Sequence, residues 1–289
     1  ASQLALLASG LGLLLLSTPL LPLVALGAWV IGLGYGPITP ASSQMLSRTT
    51  AARHFALVFS IKQTGVPLGG VIAGLLVPPL AGLGGGPQGG AIALWGLAAL
   101  CVLAAASALP LAAALDAERD AGSPWPRPAQ MLEPVRFVAT HAVLRRVALV
   151  SFVFSMVQVS LTSYLVSLLT GDLRWTLAAA GAALAASQVA GVAGRIAWGF
   201  IADRGLGARR TLLGLALGML ASALAMPLLS PASPAWAVTA LLAAFGATAV
   251  GWNGVYLATV ARLVPQPQAG MATAGTLFFT FLGVVIGPS

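Results

Sequence analysis

Six stretches of this chain contain no Asp, Glu, Lys or Arg: residues 1–47, 63–115, 147–171, 175–194, 211–261 and 263–289. They run from 20 to 53 residues and cover 223 of the 289 positions, which leaves few folds open. A helix needs roughly 20 apolar residues to cross a bilayer. The three longest runs therefore hold two spans each, and the other three hold one. The long runs turn near their middles, at STPLLP (17–22), AGLGGGPQGG (81–90) and SPASP (230–234). Pro lacks an N–H and Gly permits unusual backbone angles, so such clusters mark turns. The expectation is an all-α membrane protein with nine spans, at 3–18, 21–46, 55–80, 91–115, 145–169, 176–201, 211–230, 235–261 and 268–288. A barrel would need alternating segments of roughly 10 residues, and these runs are apolar on all faces.

Composition excludes the other classes. Apolar residues make up 58% of the chain and charged residues 7%, against about 25% charged in a soluble domain. Disordered chains have the reverse balance. Cys101 is the single cysteine, so no disulfide framework exists. The first span has no basic leader and no small-residue cleavage site, so it does not read as a signal peptide.

The net charge of +8 could suggest nucleic acid, but the positions of the basic residues argue for a membrane. With connectors labelled alternately from 17–22 as outside, the inside connectors hold Arg48, Arg53, Lys62, Arg119, Arg127, Arg136, Arg145, Arg146, Arg195, Arg204, Arg209, Arg210 and Arg262, and the outside ones hold only Arg174. This is the positive-inside rule. It places the long connector, 116–143, in the cytoplasm and the protein in the cell membrane as a multi-pass chain. That connector carries DAERD, the Pro-rich SPWPRP and an amphipathic piece at 131–143. It reads as a solvated tether between an N-terminal bundle (1–115) and a C-terminal bundle (144–289).

Two helix pairs on either side of the tether look alike. GLGYGPITPASSQML (32–46) and SIKQTGVPLGGVIAG (60–74) match AVGWNGVYLATVARL (249–263) and AGTLFFTFLGVVIGP (274–288). Gly34-Tyr35 pairs with Gly251-Trp252 at an offset of 217, and Leu68-Gly69 with Leu282-Gly283 at 214. Six spans separate the copies, and both keep one orientation. Parallel six-span repeats are a two-bundle transporter layout.

Two motifs carry a family resemblance. GFIADRGLGARR (199–210) is similar to the cytoplasmic loop of the major facilitator superfamily of secondary transporters, through Gly199, Asp203, Arg204, Gly205, Arg209 and Arg210. GVPLGG (65–70), followed by Gly74, is similar to the Gly- and Pro-rich fifth helix of that family's antiporters. The resemblance implies two pseudo-symmetric six-helix bundles, of which the nine spans would be helices three to eleven of twelve. It implies that the loop latches the cytoplasmic side, with Asp203 and Arg204 making state-dependent contacts. A carboxylate in that loop can also approach the N-terminus of a neighbouring helix. For Arg209 and Arg210, membrane anchoring is the simpler role.

Gly65 and Gly69, Gly70 and Gly74, and Gly283 and Gly287 are each four apart, which suits close helix packing. Pro67 lies inside a span and removes a backbone hydrogen bond, so a bend is expected there. Polar residues inside spans must face protein or a cavity. Helices lining the cavity in the family would here carry Tyr35, Lys62, Gln63, Gln158, Gln188, Trp252 and Asn253. Lys62 lies about seven residues into its span, roughly 10 Å deep, where it either meets an anion or snorkels. Gln63 is about 100° round the helix from it. Arg195 reads as a cytoplasmic-end anchor.

The expected function is transport of a small solute, an organic anion on the strength of Lys62, by alternating access. The alternatives are an efflux permease for drugs or metabolites and a non-transporting membrane sensor. No carboxylate lies within a span, so coupling runs through protons in helices outside this chain, through exchange, or not at all. No H-E-x-x-H or G-x-S-x-G pattern occurs. Neither an enzyme, a cofactor, a metal nor a nucleic-acid partner is expected; the partners are a small-molecule substrate and the bilayer, and the chain is expected to act as a monomer.

Overall fold

The computed structural model describes residues 2–84, 86–110 and 128–288. Among these residues the regular elements are all helical. The N-terminal part runs α1 (Ser2–Leu16), α2 (Leu21–Tyr35), α3 (Ile38–Thr49), α4 (Phe55–Gln63), α5 (Gly65–Gly82) and α6 (Gly86–Ser107). After the connector come α7 (Glu133–Thr140), α8 (Ala142–Gly171), α9 (Leu177–Arg204), α10 (Gly207–Ala225), α11 (Ala235–Ala249), α12 (Asn253–Arg262) and α13 (Ala269–Ile286). Positions 116–127 of the expected tether lie outside the described residues, and its amphipathic piece forms α7.

Seven described helical segments are long and apolar enough to cross a membrane: Leu21–Thr49, Gln88–Ser107, Ala142–Gly171, Ala179–Arg204, Gly207–Leu228, Ala235–Arg262 and Gln266–Ile286. Gln3–Leu16 is a shorter apolar helix. The expected span at 55–80 is two helices meeting at Thr64. Two more expected spans are interrupted, at Gly36-Pro37 between α2 and α3 and at 250–252 between α11 and α12. The first interruption follows the repeat motif Gly34-Tyr35, and the second contains its counterpart Gly251-Trp252. Pro37 has no N–H for the carbonyl four residues back. At Gly251 an added Cβ would lie 2.2 Å from the Ala247 carbonyl oxygen, so that conformation requires glycine.

The chain forms two compact units. One comprises 1–42 and 68–131, and the other 43–67 and 132–289. The sequence places the division at the tether; by packing, the segment 43–67 goes with the C-terminal helices. In the first unit α1 packs on α2 and α6. The α1–α2 approach is backbone-close, since an added Cβ at Gly12 would meet the Gly27 carbonyl at 2.7 Å, and one at Gly27 would meet that of Gly12 at 2.7 Å. Small residues at a crossing let helix dipoles and backbones approach where water gives no drive to associate. In the second unit the core is built on Phe59, Leu165, Leu215, Leu242, Trp252 and Tyr256, all fully buried. There α8 holds α13 by Ser155 Oγ donating to the Thr280 carbonyl (2.8 Å) and Thr280 Oγ1 donating to Ser151 Oγ (2.9 Å).

Candidate functional site

Two sets of polar residues stand out in the second unit. The first surrounds the start of α4. The opening N–H groups of any helix lack internal partners. Here Ala56 N–H donates to Asp203 Oδ1 (3.1 Å) and Leu57 N–H to Asp203 Oδ2 (2.8 Å). Asp203 lies in the last turn of α9, and its side chain is 2% exposed. Arg262, at the end of α12, pairs with Asp203 Oδ1 (3.2 Å) and donates to the Ala52 carbonyl (2.6 Å). Its guanidinium also lies 4.9 Å from the Phe55 ring centroid. Glycines let α4 reach this position. An added Cβ at Gly199 would meet Ser60 Oγ at 2.6 Å, and one at Gly254 would meet Ser60 Cα at 2.2 Å.

The second set lies two turns further along α9. Arg195 precedes Asp203 by eight residues, about 12 Å along a helix, and is 2% exposed. Its Nε donates to the Val250 carbonyl (2.8 Å), and its Nη1 donates to the Gln63 carbonyl. Both carbonyls belong to helix interruptions. Pro67 has no N–H to give the residue four back, which is Gln63. Val250 opens the break between α11 and α12. Arg195 thus ties two interrupted helices together through carbonyls that regular helix would have satisfied. This corrects the expectation of an anchor at the membrane edge: the guanidinium is interior because the carbonyls it serves are interior.

Beside that break, Trp252 Nε1 donates to Gln158 Oε1 (3.0 Å) and Asn253 Nδ2 donates to the same oxygen (3.2 Å). Gln158 and Asn253 are half-buried, while Trp252 is fully buried. Trp252 is packed edge-on by Phe154 (5.5 Å between centroids) and Tyr256 (5.2 Å). The two donors converge on one Gln158 oxygen and use both of its lone pairs.

The other predicted residues are more dispersed. Lys62 is half-buried in the last turn of α4, and the neighbouring Gln63 is 9% exposed. Gln188 does not join Gln158; its Oε1 is buried with no hydrogen-bond partner among the described residues. Tyr35 ends α2 in the first unit, 41% exposed. Arg204 stacks on Phe200 of its own helix, 4.5 Å from the ring centroid. Arg209 and Arg210 lie in the first turn of α10 and line an apolar cavity of about 980 Å³ with α8 and α12. Gly283 and Gly287 pack against α8, where added Cβ atoms would lie 2.3 Å from the Phe152 carbonyl oxygen and 2.8 Å from Met156 Cα. At Gly65 and Gly69 an added Cβ meets no described atom within 4 Å, and Gly70 and Gly74 lie in the same helix, α5. Pro67 stands in the first turn of α5, so the bend expected there takes the form of an interruption at Thr64.

The sequence does not single out Arg262 as a partner of Asp203, nor does it place Arg195 in the interior. Arg262 did carry a signal, being the lone charge between two long charge-free runs.

A family model described as the Major Facilitator Superfamily matches residues 3–288. No curated protein matches the chain. Among the solved structures that match is a bacterial homologue of the iron transporter ferroportin in an outward-facing state. It is 14% identical, with 99% of this chain and 89% of that one covered, at a TM-score of 0.48. The family match takes in almost the whole chain, its interrupted helices and its Asp203 loop, and the protein belongs to the Major Facilitator Superfamily of secondary transporters, as a multi-pass membrane protein.

Proposed function

We propose that this protein carries a small organic anion across the membrane by alternating access. One observation carries the reading: a buried guanidinium, Arg195, bridges two helix interruptions beside the Gln158, Trp252 and Asn253 cluster. Interrupted helices that line one place in the membrane are where transporter sites are built. A cation inside a membrane protein is expensive, so its presence marks a solute path. Lys62, next to Gln63, adds a second positive group. The spanning runs contain no carboxylate, which disfavours a cationic cargo. The anion would sit against Arg195 and Lys62, with Gln158 and Asn253 orienting it. Tyr35 is the repeat counterpart of Trp252 in the sequence.

The two bodies that rock are the bundles 1–115 and 144–289, joined by the cytoplasmic tether 116–143. The Asp203 caps on α4 hold the cytoplasmic side shut. When the bundles rock, α4 leaves α9 and α12, and the caps and the Arg195–Gln63 bond break together.

The test is charge movement across proteoliposomes, with a panel of mono- and dicarboxylates pulsed with and without a pH gradient. Currents that appear for anions and fall at least tenfold in Arg195→Gln and in Lys62→Gln are expected, since each change removes more than about 1.4 kcal/mol of charge interaction. Dependence on the pH gradient separates proton coupling from exchange. Anion currents unchanged by both substitutions would overturn the anion site. A protein silent to every anion that moves apolar cations would favour the efflux reading instead.

A further inference from the structure

Where α8, α12 and α13 pack together, four hydroxyl side chains face one another: Ser151 of α8, Tyr256 of α12, and Thr276 and Thr280 of α13. None of the four residues is more than 7% exposed. Ser151 follows Arg146 by five residues and Tyr256 precedes Arg262 by six, so the group lies roughly 8–9 Å inside the charged helix ends. Polar oxygens at that depth cost free energy unless something answers them.

Most of their protons are already committed. Ser151 Oγ donates to the Ala148 carbonyl (2.8 Å), and Thr276 Oγ1 donates to the Thr273 carbonyl (3.1 Å). Thr280 Oγ1 donates to Ser151 Oγ (2.9 Å) or to the Thr276 carbonyl (3.2 Å). A hydroxyl has one proton and two lone pairs, so these three groups are left with lone pairs to offer. The Tyr256 hydroxyl faces all three and closes no hydrogen bond with any of them. The Thr273 hydroxyl, about one turn earlier on α13, is also buried with no partner among the described residues. The group is a surplus of neutral oxygen acceptors without a matching donor.

We propose that Ser151, Tyr256, Thr276 and Thr280 form a site for one sodium ion. Its role as a coupling ion rests on the anion-carrier reading above, whereas the site itself does not. Oxygen ligands suit hard cations. Divalent ions call for carboxylates among those ligands, and α8, α12 and α13 contain none. The oxygens are close-set, with those of Ser151 and Thr280 2.9 Å apart, which fits a small ion better than potassium. A cation here also fits the cargo, because an anion moving inward against an inside-negative potential needs a companion charge. The two sites are linked by contact. Tyr256 packs edge-on against Trp252 (5.2 Å between centroids), and Trp252 donates to Gln158. An ion that fixes the Tyr256 hydroxyl therefore steadies the ring that orients Gln158.

The experiment has two arms on the purified protein. In the first, the melting temperature is read in sodium, potassium and choline chloride at equal ionic strength. Sodium is expected to raise it by a few degrees over the other two, as an ion held only by the folded state must. Tyr256→Phe and the isosteric Thr276→Val should lose that difference. In the second arm, anion flux into proteoliposomes should be about tenfold higher in sodium than in choline, a usual size of coupling between two sites. In both variants the ratio should fall to about one. Equal melting temperatures of the wild type in all three salts would overturn the proposal and leave the hydroxyls around a buried water. A sodium effect that survives in both variants would overturn it too. Sodium stabilisation that is lost in the variants, in a protein that moves no anion, would keep the site and sink the anion reading. Anion flux with no sodium response in either arm would keep the anion reading and sink the site. Sodium stabilisation with flux equal in sodium and choline would overturn the coupling role alone.

Discussion

Asp203 accepts the Leu57 N–H at 2.8 Å, from 146 residues away in sequence. The second carboxylate oxygen takes Ala56 N–H, so one side chain caps the two consecutive donors that open α4. The cap is a point where the C-terminal helices grip a segment from the other side of the tether.

Removing the Asp203 cap should loosen α4 without unfolding the protein. Loss of an N-cap costs about 0.5–2 kcal/mol, so Asp203→Ala should speed amide exchange across 55–59 by roughly 2- to 30-fold. The Arg262 side chain is 37% exposed, and solvent screens exposed pairs. Arg262→Gln should therefore have the smaller effect. Equal effects would mean that the ion pair, not the cap, holds α4.

Gly199 and Gly254 admit α4 for different reasons, and a second substitution separates them. A Cβ at Gly199 would meet the Ser60 side chain, at 2.6 and 2.8 Å from Oγ and Cβ. A Cβ at Gly254 would meet Ser60 Cα at 2.2 Å. Each change to Ala should cost about 1–3 kcal/mol of overpacking. Ser60→Gly should restore the melting temperature of Gly199→Ala but not of Gly254→Ala. Rescue of both would show that α4 can shift as a body.

Pro67→Ala returns an N–H that can bond the Gln63 carbonyl and compete with Arg195. The helix itself loses little, since Pro67 stands in the first turn of α5, where Pro is tolerated. The expected outcome is unchanged or higher thermal stability with solute flux lowered several-fold, the scale of one displaced hydrogen bond of about 1 kcal/mol. Flux equal to wild type would mean that the Arg195–Gln63 bond plays no part in the cycle.

Trp252→Phe keeps the aromatic packing with Phe154 and Tyr256 and deletes only the Nε1 donor to Gln158. A lost neutral hydrogen bond of about 1 kcal/mol should raise KM roughly fivefold with little change in melting temperature. A large stability loss with unchanged KM would assign Gln158 a purely structural role.

Much of this was legible in the sequence for a plain physical reason. A bilayer sets the length of an apolar run and forbids unpaired backbone within it, so the positions of the 20 charged residues already imply a helical multi-pass chain. The Asp203 loop likewise pointed to the family. Among the candidate site residues, Gln158, Trp252 and Asn253 are each visible as polar groups in apolar spans.

What tertiary structure decided was which distant groups meet. Local pattern encodes a residue's own helix, and Arg195, Gln44 and Arg262 all act on carbonyls or N–H groups from other parts of the chain. Arg195 looked like an edge anchor because its helix continues unbroken to Asp203, while the vacant hydrogen bonds that draw it inward arise at Pro67 and at Val250, on helices far away in sequence. A broken helix advertises itself locally through Gly and Pro. The side chain that repairs the break is chosen only when the helices pack.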